Sequence, residues 1–162
     1  MAQKQRMYVE GVKQGKFPGG SIRKGWEGAS ETFGFDYLVE APFDANLGTH
    51  SGKRRHKPVL IRKEVDKASP MFLTALCNNE TIKTVKIDFF RPSKDGKETN
   101  HYTVLLTNAA VVSMRTFLGM DATHSETRDT FEQEEIQFSF AQIDITWQEG
   151  GITMHDAWAD VV

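Results

Sequence analysis

Two glycine–lysine stretches are the parts of this 162-residue sequence closest to a nucleotide-binding motif. A phosphate-binding loop has two glycines separated by four residues, then a lysine for the phosphates and a Ser or Thr for magnesium. Residues 11–16 and 48–53 each have one residue too few between the glycines, and neither has the hydroxyl. The spacing therefore disfavours nucleotide binding.

The five histidines and the single cysteine are the other candidates for a reactive or metal-binding site. The histidines do not occur in pairs at helical or finger-like spacing, so we expect surface residues rather than zinc ligands. A catalytic thiolate needs a nearby base and a positive environment, so Cys77, beside Leu76 in a predicted amphipathic helix, is interpreted as a buried packing residue. The histidines are His50, His56, His101, His124 and His155.

The acidic side chains are interpreted as solvated or subunit-contacting charges. Asp88 lies on the polar face of a predicted strand, and a short acidic run comprises Glu132, Glu134 and Glu135. The sequence contains neither a Gly-x-Ser-x-Gly elbow nor a His-Glu-x-x-His helix. We therefore expect no catalytic residue, no cofactor and no metal.

The sharpest charge cluster is Lys-Arg-Arg-His-Lys at residues 53–57, which ends a predicted long exposed loop over residues 41–57. It lacks the interleaved aromatic residues on which single-stranded bases stack. We interpret it as a solvated loop or as a docking arm that meets an acidic surface on another copy. A nucleic-acid module is the weakest alternative, and it would show steeply salt-dependent binding.

Composition limits the class of protein that positions these residues. Hydrophobic residues make up 39% and charged residues 26% of the chain, and 20 basic against 22 acidic residues give a net charge of −2. This balance provides no overall field for nucleic acid or an anionic membrane. No apolar run reaches the roughly 20 residues of a membrane span or the length of a secretory signal. We expect one domain over residues 1–162.

One short helix is predicted at about residues 69–78. Ser69 suits the N-cap position and Pro70 the first helical position, and Asn78-Asn79 is a plausible left-handed stop. Phe72, Ala75 and Leu76 have the spacing of one buried helix face.

The remaining regular elements are predicted to be strands, including a short separate one over residues 111–117 and a polar loop over 121–133. The last strand, over residues 134–148, changes phase: Ile136, Phe138 and Phe140 share one face, whereas Ile143, Ile145 and Trp147 share the opposite one. Either a β-bulge resets the alternation or a partner subunit covers the second face.

Four stretches carry a resemblance to a known family. They are His-Lys-Pro at residues 56–58, Lys-Glu-Val-Asp-Lys-Ala-Ser-Pro at 63–70, Tyr-Thr-Val-Leu-Leu-Thr at 102–107 and Gln-Phe-Ser-Phe-Ala-Gln-Ile-Asp at 137–144. Over about residues 7–147 the sequence resembles the haemolysin-coregulated protein family, the tube protein of the bacterial type VI secretion system. Residues 13–25 and the tail over 149–162 depart from the family pattern.

The resemblance implies a mainly β fold, a small β-barrel of two sheets with one short helix and a long extended loop. It implies a structural, non-enzymatic subunit whose hexameric rings stack into a hollow tube. Its implied partners are other copies of itself, sheath and spike proteins, and effector proteins that the lumen carries and shelters. Synthesis would be cytoplasmic, with export by the apparatus itself and without a signal peptide.

The resemblance also assigns candidate assembly residues. The extended loop of the family contributes to ring stacking, which by position points to Asp44, Asn46, His50, Lys53 and Arg54. The phase-switched strand offers Ile143, Ile145 and Trp147 as candidates for a lateral interface. The main alternative is an enzyme or ligand-binding β-barrel whose pocket is not visible as a sequence motif.

Overall fold

The computed structural model describes residues 5–118 and 131–158. Most of the predicted loop over 121–133, including His124, lies outside these ranges. The first half of the chain contains eight strands, and it ends with one helix, α1 (Ser69–Cys77). These strands are β1 (Gln5–Gly11), β2 (Gly15–Lys16), β3 (Ser30–Asp36), β4 (Val39–Glu40), β5 (Phe43–Asp44), β6 (Thr49–His50), β7 (Arg55–His56) and β8 (Val59–Glu64).

Four further strands follow the helix: β9 (Ile82–Pro92), β10 (Glu98–Phe117), β11 (Gln133–Trp147) and β12 (Ile152–Ala157). The main sheet has the order β10-β9-β1-β3-β8-β11-β12, and pairing of β10 with β11 closes six of its strands into a barrel. The predicted mainly β barrel with one short helix is confirmed, as one closed sheet with extra strands rather than two sheets. α1 is nine residues long, and no helix in the described ranges could cross a membrane.

The barrel interior is filled by apolar side chains from all six closing strands and from the helix. The alternate residues of each strand point inward, which buries one face of the sheet. The most deeply buried are Met7, Val59, Ile61, Phe72, Val85, Ile87, Val104, Leu106, Ile136, Phe138 and Ile143.

The phase change predicted for the last strand lies in β11, and it recurs at the same level on the adjacent strand β10 and on β9, which pairs with β10. On β11 it lies between buried Phe140 and Ile143, and on β10 it lies between buried Leu106 and Ala109. β9 makes the same change one strand further along, where its residue 84 pairs with residue 107. Because the three strands change together, the sheet keeps its pairing and bends, and neither a bulge in β11 nor a partner is needed. The separate strand predicted over 111–117 is wrong, since β10 runs through Asn108 at a φ of 49°.

The helix begins at Ser69, so its N-cap lies one residue earlier than predicted. Ala68, not Ser69, is the N-cap residue, so that prediction is wrong. The Ser69 hydroxyl instead accepts a hydrogen bond from the Asp66 backbone N–H at 2.9 Å. Asn79 adopts a φ of 52°, which confirms the left-handed stop. Cys77 is exposed, because the last turn faces solvent, and its interpretation as a packing residue is wrong.

A buried ion pair joins the barrel wall to the start of the helix. Lys63 Nζ lies 2.5 Å from Glu134 Oε1 and 2.9 Å from Asp66 Oδ1, and the Lys63 and Glu134 side chains are fully buried. The Ser69 hydroxyl donates to Glu134 Oε1 at 2.8 Å. The interpretation of Glu134 as a solvated or subunit-contacting charge is therefore wrong, because its partner Lys63 comes from the neighbouring strand β8.

A second buried acid, Asp88, connects the barrel to residues 13–25, one of the two segments that depart from the family pattern. Asp88 is fully buried and accepts hydrogen bonds from Arg6 Nη2 at 2.8 Å and from Thr103 Oγ1 at 2.9 Å, so its solvated interpretation is also wrong. Arg6 donates in turn to the carbonyl of Gly25 at 3.1 Å. A Cβ at Gly19 would lie 1.9 Å from the Ala29 carbonyl carbon, so only glycine fits there. The segment thus packs against the outer barrel wall.

Candidate assembly surfaces

A narrow hairpin projects between β3 and β8, and we call residues 39–56 the arm. At its base β4 pairs with β7 over two residue pairs, and near its tip β5 pairs with β6 over two more. The sequence predicted an exposed loop over residues 41–57. Most of its side chains are exposed as predicted, but its backbone is a paired hairpin rather than an irregular loop.

The arm tip is a tight turn that exposes two large apolar side chains. Asp44 shapes the turn, because its Oδ1 accepts hydrogen bonds from the N–H groups of Asn46 at 2.8 Å and Leu47 at 3.3 Å. Gly48 closes the turn with a φ of 68° and donates to the Asp44 carbonyl at 2.7 Å. Phe43 is 68% exposed and Leu47 74% exposed. Sequence reasoning chose the polar residues of this turn and missed its apolar ones.

The basic residues of the arm occupy two different environments. His50 and Lys53 are exposed, beside the tip and between the two ladders respectively. Arg54 lies at the base and faces the C-terminal strand, where its Nε and Nη2 both donate to the Asp156 carboxylate at 2.5 Å. Of the five predicted stacking residues, Arg54 therefore anchors the arm within the protomer.

Four side chains connect the arm base to the C-terminal strand, and we call them the latch: Tyr37, Arg54, His56 and Asp156. His56 Nε2 lies 2.7 Å from Asp156 Oδ2, and its Nδ1 lies 2.7 Å from the Tyr37 hydroxyl. The imidazole is buried, with the rings of Phe140 and Trp158 each centred 5.4 Å away. The interpretation of His56 as a surface residue is wrong, because β12 covers it.

The latch carboxylate is strongly stabilised in its charged form. Hydrogen bonding to Arg54, with a further contribution from His56, lowers the pKa of Asp156 from 3.8 to about 2. Burial, reinforced by the Asp156 charge, raises the pKa of Tyr37, so its phenol stays protonated. At neutral pH the latch is therefore an ionised carboxylate held by a guanidinium and a buried imidazole.

The predicted lateral-interface residues lie mostly inside the protomer. Ile143 is completely buried, and Ile145 packs against the same core. Ile143 therefore has no surface to offer a neighbour, and its assignment as an interface residue is wrong. Trp147 is half-buried, with its ring 5.8 Å from His101 and 5.0 Å from the Arg91 guanidinium.

The tail contributes an exposed strand that the sequence reasoning left without a role. β12 pairs with the second half of β11, from Gln142 to Trp147, and in the described ranges its other edge has no strand partner. Ile152 is 69% exposed and Met154 is also exposed on this edge. The signal was present in the alternation of residues 152–155 after Gly150-Gly151.

These surfaces have the properties of contact sites rather than of a reaction centre. Among residues 5–118 and 131–158, no three His, Cys, Asp or Glu side chains converge as a metal site would require. A half-exposed apolar edge and a projecting apolar tip are typical of protein–protein contacts. Exposed apolar side chains thus lie at two distinct places, the arm tip and the edge of β12.

Comparison with known proteins points to one family. A family model described as "Type VI secretion system effector, Hcp" matches residues 7–147. The "Major exported protein" of Pseudomonas aeruginosa is 30% identical over 171 residues, and the alignment covers 100% of this chain and 99% of that protein.

Solved structures show the same similarity in three dimensions. The secreted protein Hcp3 of Pseudomonas aeruginosa superposes with a TM-score of 0.80 at 28% identity, over 97% of this chain and 99% of that one. A crystal structure of an Hcp protein superposes with a TM-score of 0.87 at 25% identity, over 97% and 98% of the two chains. Sequence and fold thus match over nearly the whole chain.

Proposed function

This chain belongs to the Hcp family of the type VI secretion system, and we propose that it forms the hexameric rings that stack into the secretion tube. The family is one of secreted, structural components of the apparatus rather than of enzymes. Our proposal adds the assembly steps: lateral closure of six copies and end-to-end stacking of the rings. The arm, a projecting hairpin with an exposed apolar tip, is the observation that carries the stacking step.

Ring closure requires two different complementary faces on each protomer, because head-to-tail contacts join unlike surfaces. One edge of β12, which has no strand partner among residues 5–118 and 131–158, supports one of them. An unpaired strand edge with exposed Ile152 and Met154 would be an aggregation site in a monomer unless a partner covered it. Trp147, close to the same edge, is retained as a candidate contact.

Stacking requires a part of the protomer that reaches the next ring, and the arm is suited to that contact. Phe43 and Leu47 provide apolar area at its tip, and His50 and Lys53 provide polar and charged groups around it. Burial of exposed apolar side chains stabilises such contacts, and the charges set their orientation. Asp44 and Asn46 act by holding the tip in its turn.

The remaining partners follow from the role in the tube. We propose contacts with the sheath and spike proteins of the apparatus and with effector proteins in the lumen, and export from the cytoplasm by the apparatus itself. The names of the relatives, an exported and a secreted protein, support export. The single-domain organisation and the absence of any enzymatic role are parts of the same proposal.

Two structural observations favour the tube subunit over the alternatives. The barrel interior is filled by large side chains such as Phe72 and Phe138, both fully buried, as expected of a structural core rather than a ligand barrel. Within the basic cluster, Arg54 is neutralised by Asp156, which reduces the charge available to nucleic acid.

The arm can be shortened without disturbing its base, which gives a direct test. The Ser51 N–H already donates to the Pro42 carbonyl at 2.9 Å, so the two residues are hydrogen-bonded neighbours across the hairpin. Replacing residues 43–50 with Asn-Gly makes this bond the closing bond of a tight turn. Native mass spectrometry should show intact hexamers, and negative-stain images should show few stacked rings.

A pair of matched point variants separates apolar contact from arm length. Leu47→Ser removes an exposed aliphatic side chain at the tip, and Ile22→Ser removes one that is 99% exposed outside the arm. We expect Leu47→Ser to reduce stacking and Ile22→Ser to leave it unchanged. Stacks of parental length from the Asn-Gly variant would contradict the stacking role, and a monomer at micromolar concentration would contradict the ring.

A further inference from the structure

We propose that the C-terminal strand β12 fixes the orientation of the arm relative to the barrel, and that Asp156 is the positioning residue. The inference rests on the proposed stacking role of the arm and adds the part of the chain that controls it. It concerns residues 149–158, a segment to which no role could be assigned from the sequence.

The arm has few attachments of its own. Its base ladder consists of the pairs Val39–His56 and Glu40–Arg55, with one more backbone bond from the Lys57 N–H to the Leu38 carbonyl at 2.9 Å. An isolated two-stranded hairpin is marginally stable at best in water. Backbone pairing at the base therefore does not suffice to hold an arm of this length in one direction.

Asp156 provides the missing attachment. Its two carboxylate oxygens bind the Arg54 guanidinium in a bidentate manner, and Oδ2 also lies 2.7 Å from His56 Nε2. Such charge-assisted, two-point bonds fix orientation as well as distance. Arg54 and His56 lie on the same arm strand segment, so a single carboxylate restrains the arm base at two points.

Strand β12 holds Asp156 and closes over the arm base. Asp156 pairs with Ile143 in the barrel-facing strand β11, and Trp158 covers the His56 ring from the far side. The carboxylate is thus fixed by the main sheet rather than by a loop. The direction of the arm is therefore set by a strand about 100 residues away in the chain.

The test compares two carboxylates on neighbouring strands. Asp156→Asn removes the charge of the latch, whereas Asp144→Asn removes the charge of an exposed pair with His155 at 2.6 Å between β11 and β12. We expect hexamers from both variants and a melting temperature lowered by about 3–5 °C in Asp156→Asn, the effect of a tenfold weaker contact, with no change in Asp144→Asn. We expect stacks to shorten at least severalfold only in Asp156→Asn.

Limited trypsin digestion measures the arm directly, because Lys53 and Arg55 are exposed within it. Loss of the latch should raise the cleavage rate in the arm about tenfold, the effect of a charge-assisted hydrogen bond on an opening equilibrium. Arg54→Gln breaks the same contact from the arm side and leaves β12 intact. The double variant should show no further increase over Asp156→Asn, since that change already removes the contact with Arg54.

The outcomes distinguish this inference from the proposed function. Parental cleavage and stacking in Asp156→Asn and Arg54→Gln, with stacking lost in the Asn-Gly variant, would overturn the latch and keep the stacking arm. Parental stacking in the Asn-Gly variant would overturn the arm's role. If Asp156→Asn fails to form rings, Arg54→Gln decides: fast cleavage supports the latch, and parental cleavage overturns it.

Discussion

The barrel and the arm are both built from paired strands of one chain, but different contacts stabilise them. Each of the six barrel strands is paired on both sides, and all but β3, which adds partly buried Phe35, contribute buried apolar side chains to the common interior. The arm has two ladders of two pairs each, and its large apolar side chains face solvent. The barrel supplies its own stability, whereas the arm depends on a contact with β12.

The ion pairs of the two regions differ in the same way. The Lys63–Glu134 pair is fully buried and joins adjacent strands of the barrel, so it is part of the core. The Arg54–Asp156 pair is partly exposed and joins the arm to the sheet edge. Removal of one partner from a buried pair is costly, whereas partly exposed pairs mainly set geometry. The two pairs should therefore affect different measurements.

Truncation of a large apolar side chain to alanine should affect stability very differently in the barrel and in the arm. Phe138 is fully buried against the Phe72 ring, so Phe138→Ala should lower the free energy of unfolding by about 3–5 kcal/mol. Leu47→Ala at the arm tip should change it by less than about 0.5 kcal/mol. Urea denaturation of both variants measures the difference, and a comparable loss in the two would refute the division between barrel and arm.

The buried pair gives the next largest effect. Glu134→Gln removes the carboxylate that lies 2.5 Å from Lys63, and we expect a loss of about 2–3 kcal/mol in the free energy of unfolding. Glu135→Gln is the matched control, because the adjacent carboxylate pairs with partly exposed Arg62 and should cost about 1 kcal/mol or less. Equal losses would mean that burial of the Lys63–Glu134 pair does not matter.

Elements with local causes could be predicted from the sequence. The helix at residues 69–78 depends on spacing and turn chemistry within ten residues, and the structure has it at Ser69–Cys77. The alternation of apolar and polar residues in β9 and β10 likewise indicates a buried face directly. The phase change in β11 was visible, but its cause lies in the matching changes on β9 and β10, which are adjacent only in the folded sheet.

The ion pairs of the barrel core and of the arm base were not predictable, because their partners are distant in the chain. Lys63 and Glu134 meet across paired strands, and Arg54 meets Asp156 across 102 residues. Each of these acids looked solvated or had no assigned role when considered alone. The residue types of the arm favour its polar turn residues as contact candidates. The exposure of Phe43 and Leu47 can be recognised only once the turn is folded.

The smallest expected effect is the pH dependence of arm docking in acid, which tests the latch rather than the barrel. The pKa of Asp156 is lowered from 3.8 to about 2 when the arm is docked, so the charged carboxylate favours docking above the higher value. That contribution is lost as the pH falls from about 4 through about 2, because protonation then removes the partner of Arg54.

Pepsin digestion measures the profile in the acidic range, with cleavage in the arm normalised to Asp156→Asn, whose side chain does not titrate. The variant should be cleaved faster than the parent at about pH 5, and the two rates should converge near pH 2, where Asp156 is protonated. Arg54→Gln should move the convergence toward the ordinary value of 3.8, since the guanidinium is the main cause of the lowered pKa. A constant ratio across this range would show that the Asp156 charge does not control arm docking.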